Sequence, residues 1–294
     1  MIENVRMLNG LSRSWKLLAL KFEKSPNEMR NVMPFPLMVG KSMLLKKYLT
    51  EKMAELLAEN HMVDFVTSER VLYYRMPYCP PENMDFFGLK QLAEILQFSL
   101  GYQGEYRGCL HLDLTEWDGH EDEPYCGVML EYLSDLRDEV IPLFSLDVPD
   151  KARIEKMIRR IQGYFNLSIL ELNRTDSMDY CNYALELAGK NGMYICSAAR
   201  KQFDQFIEGL HPEQAEDGYE ILHRAVKEMA FSYYMHPSHQ KRNVTGQFIE
   251  KFSEMSRKRF QIPENEPEKR RIGFSLEDDV RKGEKNEDRV SKQI

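Results

Sequence analysis

The sequence predicts an α/β protein, a parallel sheet flanked by helices and followed by a smaller helical region. Two observations carry that prediction. From about residue 31 to residue 175, short apolar runs of β-branched or aromatic character alternate with segments of helical periodicity, the pattern of parallel strands joined by crossover helices. From about Ser177 onward the helical periodicity continues without strong strands between the helices.

Taken in order, Leu17, Leu18, Leu20 and Phe22 lie among Lys16, Lys21 and Lys24, which predicts a helix that breaks at Ser25-Pro26-Asn27. Residues 1–30 are accordingly an N-terminal helical segment. Asn31 to Val39 is a short apolar run. Because proline offers no ladder donor, Pro34 and Pro36 are expected to confine any regular strand there to its first few residues. Lys41 to Glu59, rich in Leu, Lys, Glu and Ala and ended by Asn60, predicts a long helix.

Val71 to Met76 reads as a strand stopped by the turn-rich Pro77 to Pro81, and Phe86 to Leu100 as a helix stopped by Gly101. Cys109 to Leu114 is a short buried strand. Val128 to Arg137 (helix), Val140 to Leu146 (strand), Lys151 to Tyr164 (helix) and Leu167 to Leu172 (strand) complete the alternation. Helices are expected over Tyr180 to Ala188, Ser197 to Leu210, Gly218 to Tyr234 and Gly246 to Arg259. The resulting division is an α/β domain over 31–175, a helical domain over 176–262, and a charged, disordered tail over 263–294.

Composition narrows the function classes. In 294 residues, 43% hydrophobic and 11% aromatic content can bury enough apolar surface to exclude wholesale disorder. No stretch approaches the roughly 20 apolar residues of a membrane span, and the opening residues lack a signal-peptide pattern, so the expected location is the cytoplasm. Five scattered cysteines, Cys79, Cys109, Cys126, Cys181 and Cys196, form no CxxC pair, which argues against a disulfide framework or a structural zinc. A net charge of −7 argues against a dedicated nucleic-acid binder, although basic clusters such as Lys241-Arg242, Arg257 to Arg259 and Lys269 to Arg271 leave such contact open. There is no GxSxG elbow and no catalytic-type cysteine sequence.

The sharpest local signal is Phe35 to Ser42, FPLMVGKS, between an apolar run and a helix. A phosphate-binding loop uses GxxxxGK followed by Ser or Thr, so that amides converge on phosphate, the lysine neutralises charge and the hydroxyl holds magnesium. Gly40, Lys41 and Ser42 supply the second half, whereas Phe35 stands at the first glycine and Leu37, Met38 and Val39 are bulky. A second signal is CLHLDLTEW, an apolar strand ending in Asp113, which offers a carboxylate at the strand's C-terminal edge with Glu116 three residues on. Each signal also has a plain structural reading: a glycine turn before an amphipathic helix, and an aspartate opening a strand-to-helix turn. The acidic stretch His111 to Cys126 reads as a solvated loop, with a metal site on His111, Asp113 and His120 as its alternative. His236 and His239 mark a loop.

Over roughly residues 30 to 260 this order of elements, with GKS after the first strand and Asp113 ending a later one, resembles the AAA+ and related P-loop NTPases. The resemblance implies ATP and Mg2+ as cofactors. It places Gly40, Lys41 and Ser42 on the phosphates, Ser42 and Asp113 on magnesium, and Glu116 on the attacking water. Ser145 (or Asp147) would sense the terminal phosphate, and Arg200 in SAARKQF would reach phosphates from the helical lid. A weak or degenerate ATPase coupled to a macromolecular partner, a protein in the first instance, is the function implied, with homo-oligomers and nucleic acid left open. The bulky loop favours an alternative, a non-catalytic interaction module with a nucleotide-free α/β core. A third reading is a metal-dependent phosphoesterase built on Asp113, Glu116 and His120.

Overall fold

A computed structural model describes residues 3–23, 26–60, 62–63, 72–78, 108–136, 140–172, 177–235 and 243–260. The helix expected over 86–100, the tail over 263–294, and His236 and His239 lie outside the described residues.

Helices α1 (Glu3–Lys21) and α2 (Pro26–Val32) lead into β1 (Phe35–Val39), and α3 (Met43–Glu59) follows. Then come β2 (Leu72–Arg75), β3 (Gly108–Asp113), α4 (Pro124–Asp135), β4 (Val140–Leu146), α5 (Lys151–Gln162) and β5 (Leu167–Glu171). The five strands form one sheet in the order β2-β3-β4-β1-β5, parallel throughout. This is the predicted fold class. After β1 the chain crosses by α3 to the edge strand β2, steps back through β3 and β4, and jumps over β1 to β5. Such a reversal opens a crevice at the carboxyl ends of the strands, where α/β proteins place their ligands.

The expectation for Pro34 and Pro36 is corrected. The strand runs over the second half of the apolar segment, and all five of its residues are buried. The Phe35 amide donates to Asn166 on the β5 side, while the Gly40 amide donates to Leu146 on the β4 side. Alternation therefore turns the Pro36 nitrogen toward β4, and pairing with β4 begins only at Leu37 opposite Phe144. The missing donor falls before the ladder starts and costs no hydrogen bond. Trp15 of α1, fully buried, fixes the entry to β1 through an indole hydrogen bond to the Pro34 carbonyl (3.0 Å).

The helical region contains α6 (Ser177–Lys190), α7 (Ser197–Glu208), α8 (Gly218–Tyr234) and α9 (Gly246–Phe260). Two strands of two residues each, β6 (Tyr194–Ile195) and β7 (Asn243–Val244), pair in parallel within it. They are too short to leave a period in the sequence. The region is tied to α3: Tyr48 meets Tyr183 edge to face at 5.4 Å and donates its hydroxyl to Glu186 (2.9 Å), and Lys52 pairs with Glu186 (2.8 Å). Residues through Phe260 form one compact unit. Among the described residues no helix is long and apolar enough to cross a membrane.

Candidate functional site

The carboxyl edge of the sheet brings two of the predicted site residues together, because parallel register sets Asp113 and Ser145 side by side on one face, between Arg75 and Met38. Helix α3 covers that face. What reaches it from α3 are Lys46 and Thr50, one turn apart and both buried.

The FPLMVGKS segment is not an open loop. Its first five residues are strand β1, and only Gly40, Lys41 and Ser42 connect β1 to α3. The Gly40 amide is spent on Leu146 at 3.0 Å, as an extension of the sheet. A backbone that must converge on a phosphate needs residues free of the ladder, and here the ladder runs up to the glycine. Lys41 is exposed. Ser42 caps α3, its oxygen accepting from the Leu45 amide (3.2 Å), and donates its hydroxyl to Asp217 Oδ1 (2.9 Å). Asp217 in turn caps α8 by accepting from the Tyr219 amide (3.0 Å). One carboxylate thus sits between the positive ends of two helices, in the position where a bound anion would gain from α3.

Asp113 has a side chain only 1% exposed and is ringed by donors. Oδ1 accepts from the Thr115 amide (3.1 Å) and hydroxyl, and Oδ2 from the Tyr73 hydroxyl (2.9 Å) and Arg75 Nε (3.3 Å). Burial works against its charge, yet the Thr115 and Tyr73 hydrogen bonds and nearby Lys46 hold its pKa below the usual carboxylate range. The Thr115 hydroxyl also accepts from the Asp147 amide (3.0 Å), which locks the end of β4 to the turn after β3. With both oxygens doubly engaged, a metal could be reached only by displacing protein donors.

Behind this ring lies a second buried group. His111 is fully buried and bonds Thr50 Oγ1 through Nδ1 and Ser145 Oγ through Nε2, both at 2.9 Å. Burial lowers its pKa to about 3, so the ring is neutral, with one nitrogen donating and the other accepting. Ser145 is therefore committed to His111. Lys46 is also fully buried, and its ammonium has no hydrogen-bond partner among the described residues. Desolvation lowers its pKa against the pull of Asp113 and Asp147.

The remaining predicted residues are turned to their neighbours. Glu116, on the turn Thr115–Trp117, stands 4.0 Å from Arg75, which bridges it to Asp113. Arg200 makes a two-pronged pair with Asp204 (2.7 and 2.8 Å) and reaches Asn182 at 3.4 Å. His120 stacks on Tyr78 at 3.7 Å, and the acidic loop is neutralised by Arg153 on Asp118 (3.1 Å) and Lys156 on Asp122 (2.6 Å). Among the described residues no group of three His, Cys, Asp or Glu is arranged to hold a metal, which corrects the His111, Asp113 and His120 alternative. Burial pushes the thiols of Cys109, Cys126 and Cys181 up to about 12, so none is a ready nucleophile.

The structure thus brings Asp113 and Ser145 to one edge, with Glu116 linked to Asp113 through Arg75, and leaves Arg200 paired elsewhere. Reasoning from sequence missed Lys46, Tyr73, Thr115 and Asp217. Three of these left a signal: Thr115 two residues after Asp113 fits an aspartate side chain closing its own turn, Asp217 before Gly218 is a helix-start pattern, and Lys46 falls on the helical stripe of Leu49, Met53 and Leu57.

No family model matches the sequence, and no curated protein matches it by sequence. Among solved structures the chain is similar to a mutant RuvB of Thermotoga maritima, with 14% identity, a TM-score of 0.47, and coverage of 87% of this chain and 71% of that one. It is similar also to PCH-2 of C. elegans (10%, 0.34, 85% and 67%) and to the DNA clamp loader delta protein of Bacillus subtilis (9%, 0.34, 79% and 61%). Likenesses at these TM-scores carry no functional assignment, which rests on the chain's own geometry.

Proposed function

We propose that the protein is a non-hydrolysing interaction module of P-loop-like α/β organisation, in which the positions that would serve a nucleotide, the exposed Lys41 apart, have become internal contacts. The observation that supports this most is the engagement of Asp113 by four donors from Tyr73, Arg75 and Thr115. Phosphoryl transfer depends on positioning and charge neutralisation, and a carboxylate committed to protein donors supplies neither to magnesium. Ser42 on Asp217 and Ser145 on His111 support the same reading. ATP and Mg2+ do not fit these residues as they stand. The role left to such a module is contact with a macromolecular partner.

A second reading, Mg-ATP binding after Asp217 withdraws from Ser42, is favoured by the exposed Lys41 beside the positive end of α3. Thermal unfolding and phosphate release separate the two. A ligand that binds only the folded state raises the melting temperature. The module reading expects no shift with Mg-ATP and no released phosphate, whereas a dose-dependent rise lost in Lys41→Ala would establish the second.

A further inference from the structure

Outside the sheet edge, the helical region carries a groove of about 730 Å3 between α8 and α9. Phe231 on its wall is 69% exposed and Met255 62%. Residues 224, 227 and 231 recur at helical spacing, so one face of α8 presents Arg224, Lys227 and Phe231 in turn. Helix α9 runs antiparallel along it: Arg259 meets Glu228 at 3.3 Å and Arg224 lies over the Phe260 ring at 5.6 Å. The groove is polarised as a result. Its apolar end is Phe231 and Met255, and its cationic end is Arg224, Lys227 and Arg259, with Glu228 as the one lining carboxylate among the described residues. This cationic end runs against a chain whose net charge is −7.

We propose that this groove docks an acidic amphipathic helix of a partner protein. The partner's apolar side chains would seat on Phe231 and Met255, and its carboxylates, a turn or two along, would meet Arg224 and Lys227, Arg259 being held by Glu228. Charge complementarity selects this occupant. A second copy of the chain fits less well, because Asp118 and Asp122 of its acidic loop are already paired with Arg153 and Lys156. A nucleic acid fits less well, because Glu228 stands among the cations and exposed Phe231 and Met255 form the other end. The inference deepens the module reading by naming the partner's chemistry.

The test uses the full chain and a fluorescein-labelled synthetic helical peptide with leucines at i, i+3 and i+7 and glutamates over the following turns, read by anisotropy. A charge-reversed peptide, with lysine for each glutamate, is the control. Micromolar binding of the acidic peptide is expected, weakened about tenfold or more by Phe231→Asp and separately by Lys227→Glu. Both substitutions are at exposed sites, and an unchanged melting temperature verifies the fold. The proposal is overturned by no binding of the acidic peptide at millimolar concentration, by equal binding of the charge-reversed peptide, or by a wild-type dimer that Phe231→Asp dissociates. A single-stranded oligonucleotide that competes for the groove would overturn it too. The assay contains no nucleotide, so its failure leaves the ATP experiments to decide the module reading by themselves.

Discussion

The carboxyl edge of the sheet and the α8–α9 groove dispose of their polar groups in opposite ways. At the sheet edge Asp113, Ser145, Ser42 and Glu116 all point at protein partners. In the groove, exposed Phe231 and Met255 lie beside a concentration of cations. Active sites keep unsatisfied groups where a ligand will come, and interiors do not. By that criterion the oxygens of the sheet edge have the chemistry of an interior, with the buried Lys46 amine, which has no hydrogen-bond partner among the described residues, as the exception, and the groove has the chemistry of a surface awaiting a partner.

The largest effect that could break the comparison is at Asp113. If its carboxylate is structural, Asp113→Ala leaves the Tyr73 hydroxyl, two Thr115 donors and the Arg75 guanidinium short of an acceptor and Lys46 with Asp147 alone as countercharge. A loss of about 3–5 kcal/mol in urea unfolding is expected. Asp113→Asn should also destabilise, since its amide would face the Tyr73 and Arg75 donors. A carboxylate kept only for magnesium would leave stability unchanged in both variants.

His111 sharpens the same side through pH. Its folded pKa of about 3 lies below the ordinary value near 6.5, so between those values the unfolded chain binds the extra proton and stability falls as pH falls. The loss due to this residue should reach about 2 kcal/mol from pH 7 to pH 5, and His111→Gln should flatten that slope. A slope unchanged in the variant would remove His111 from the buried network. Asp217→Ala should cost about 1 kcal/mol, because it removes the α8 cap and the Ser42 contact together. Lys41→Ala is the smallest change, within about 0.5 kcal/mol, as expected of an exposed side chain with no structural role.

The strands and most helices were legible because periodicity is local. The strand at Val140–Leu146 and the helix at Gly218–Tyr234 follow the pattern residue for residue. Strand β1 was misjudged because the tolerance of Pro36 depends on which neighbour its nitrogen faces and where that pairing begins, and neither is written near the proline. Asp113 was legible as a strand-end carboxylate, but its saturation was not, since Tyr73 and Arg75 come from another strand and only register brings them together. Ser42 and Asp217 are 175 residues apart, beyond any local signal. Lys46 stands beside Lys47 in one helix, and only Lys46 shares the stripe of Leu49, Met53 and Leu57 that the core covers, whereas Lys47 lies on the face of Glu51.

The central claim, that the sheet edge is closed to nucleotide, is tested most directly by titrating the full chain with a fluorescent ATP analogue, with and without magnesium, beside Lys41→Ala. The account predicts no magnesium-dependent binding up to millimolar analogue and no difference between the two proteins. Micromolar, magnesium-dependent binding that disappears in Lys41→Ala would contradict it.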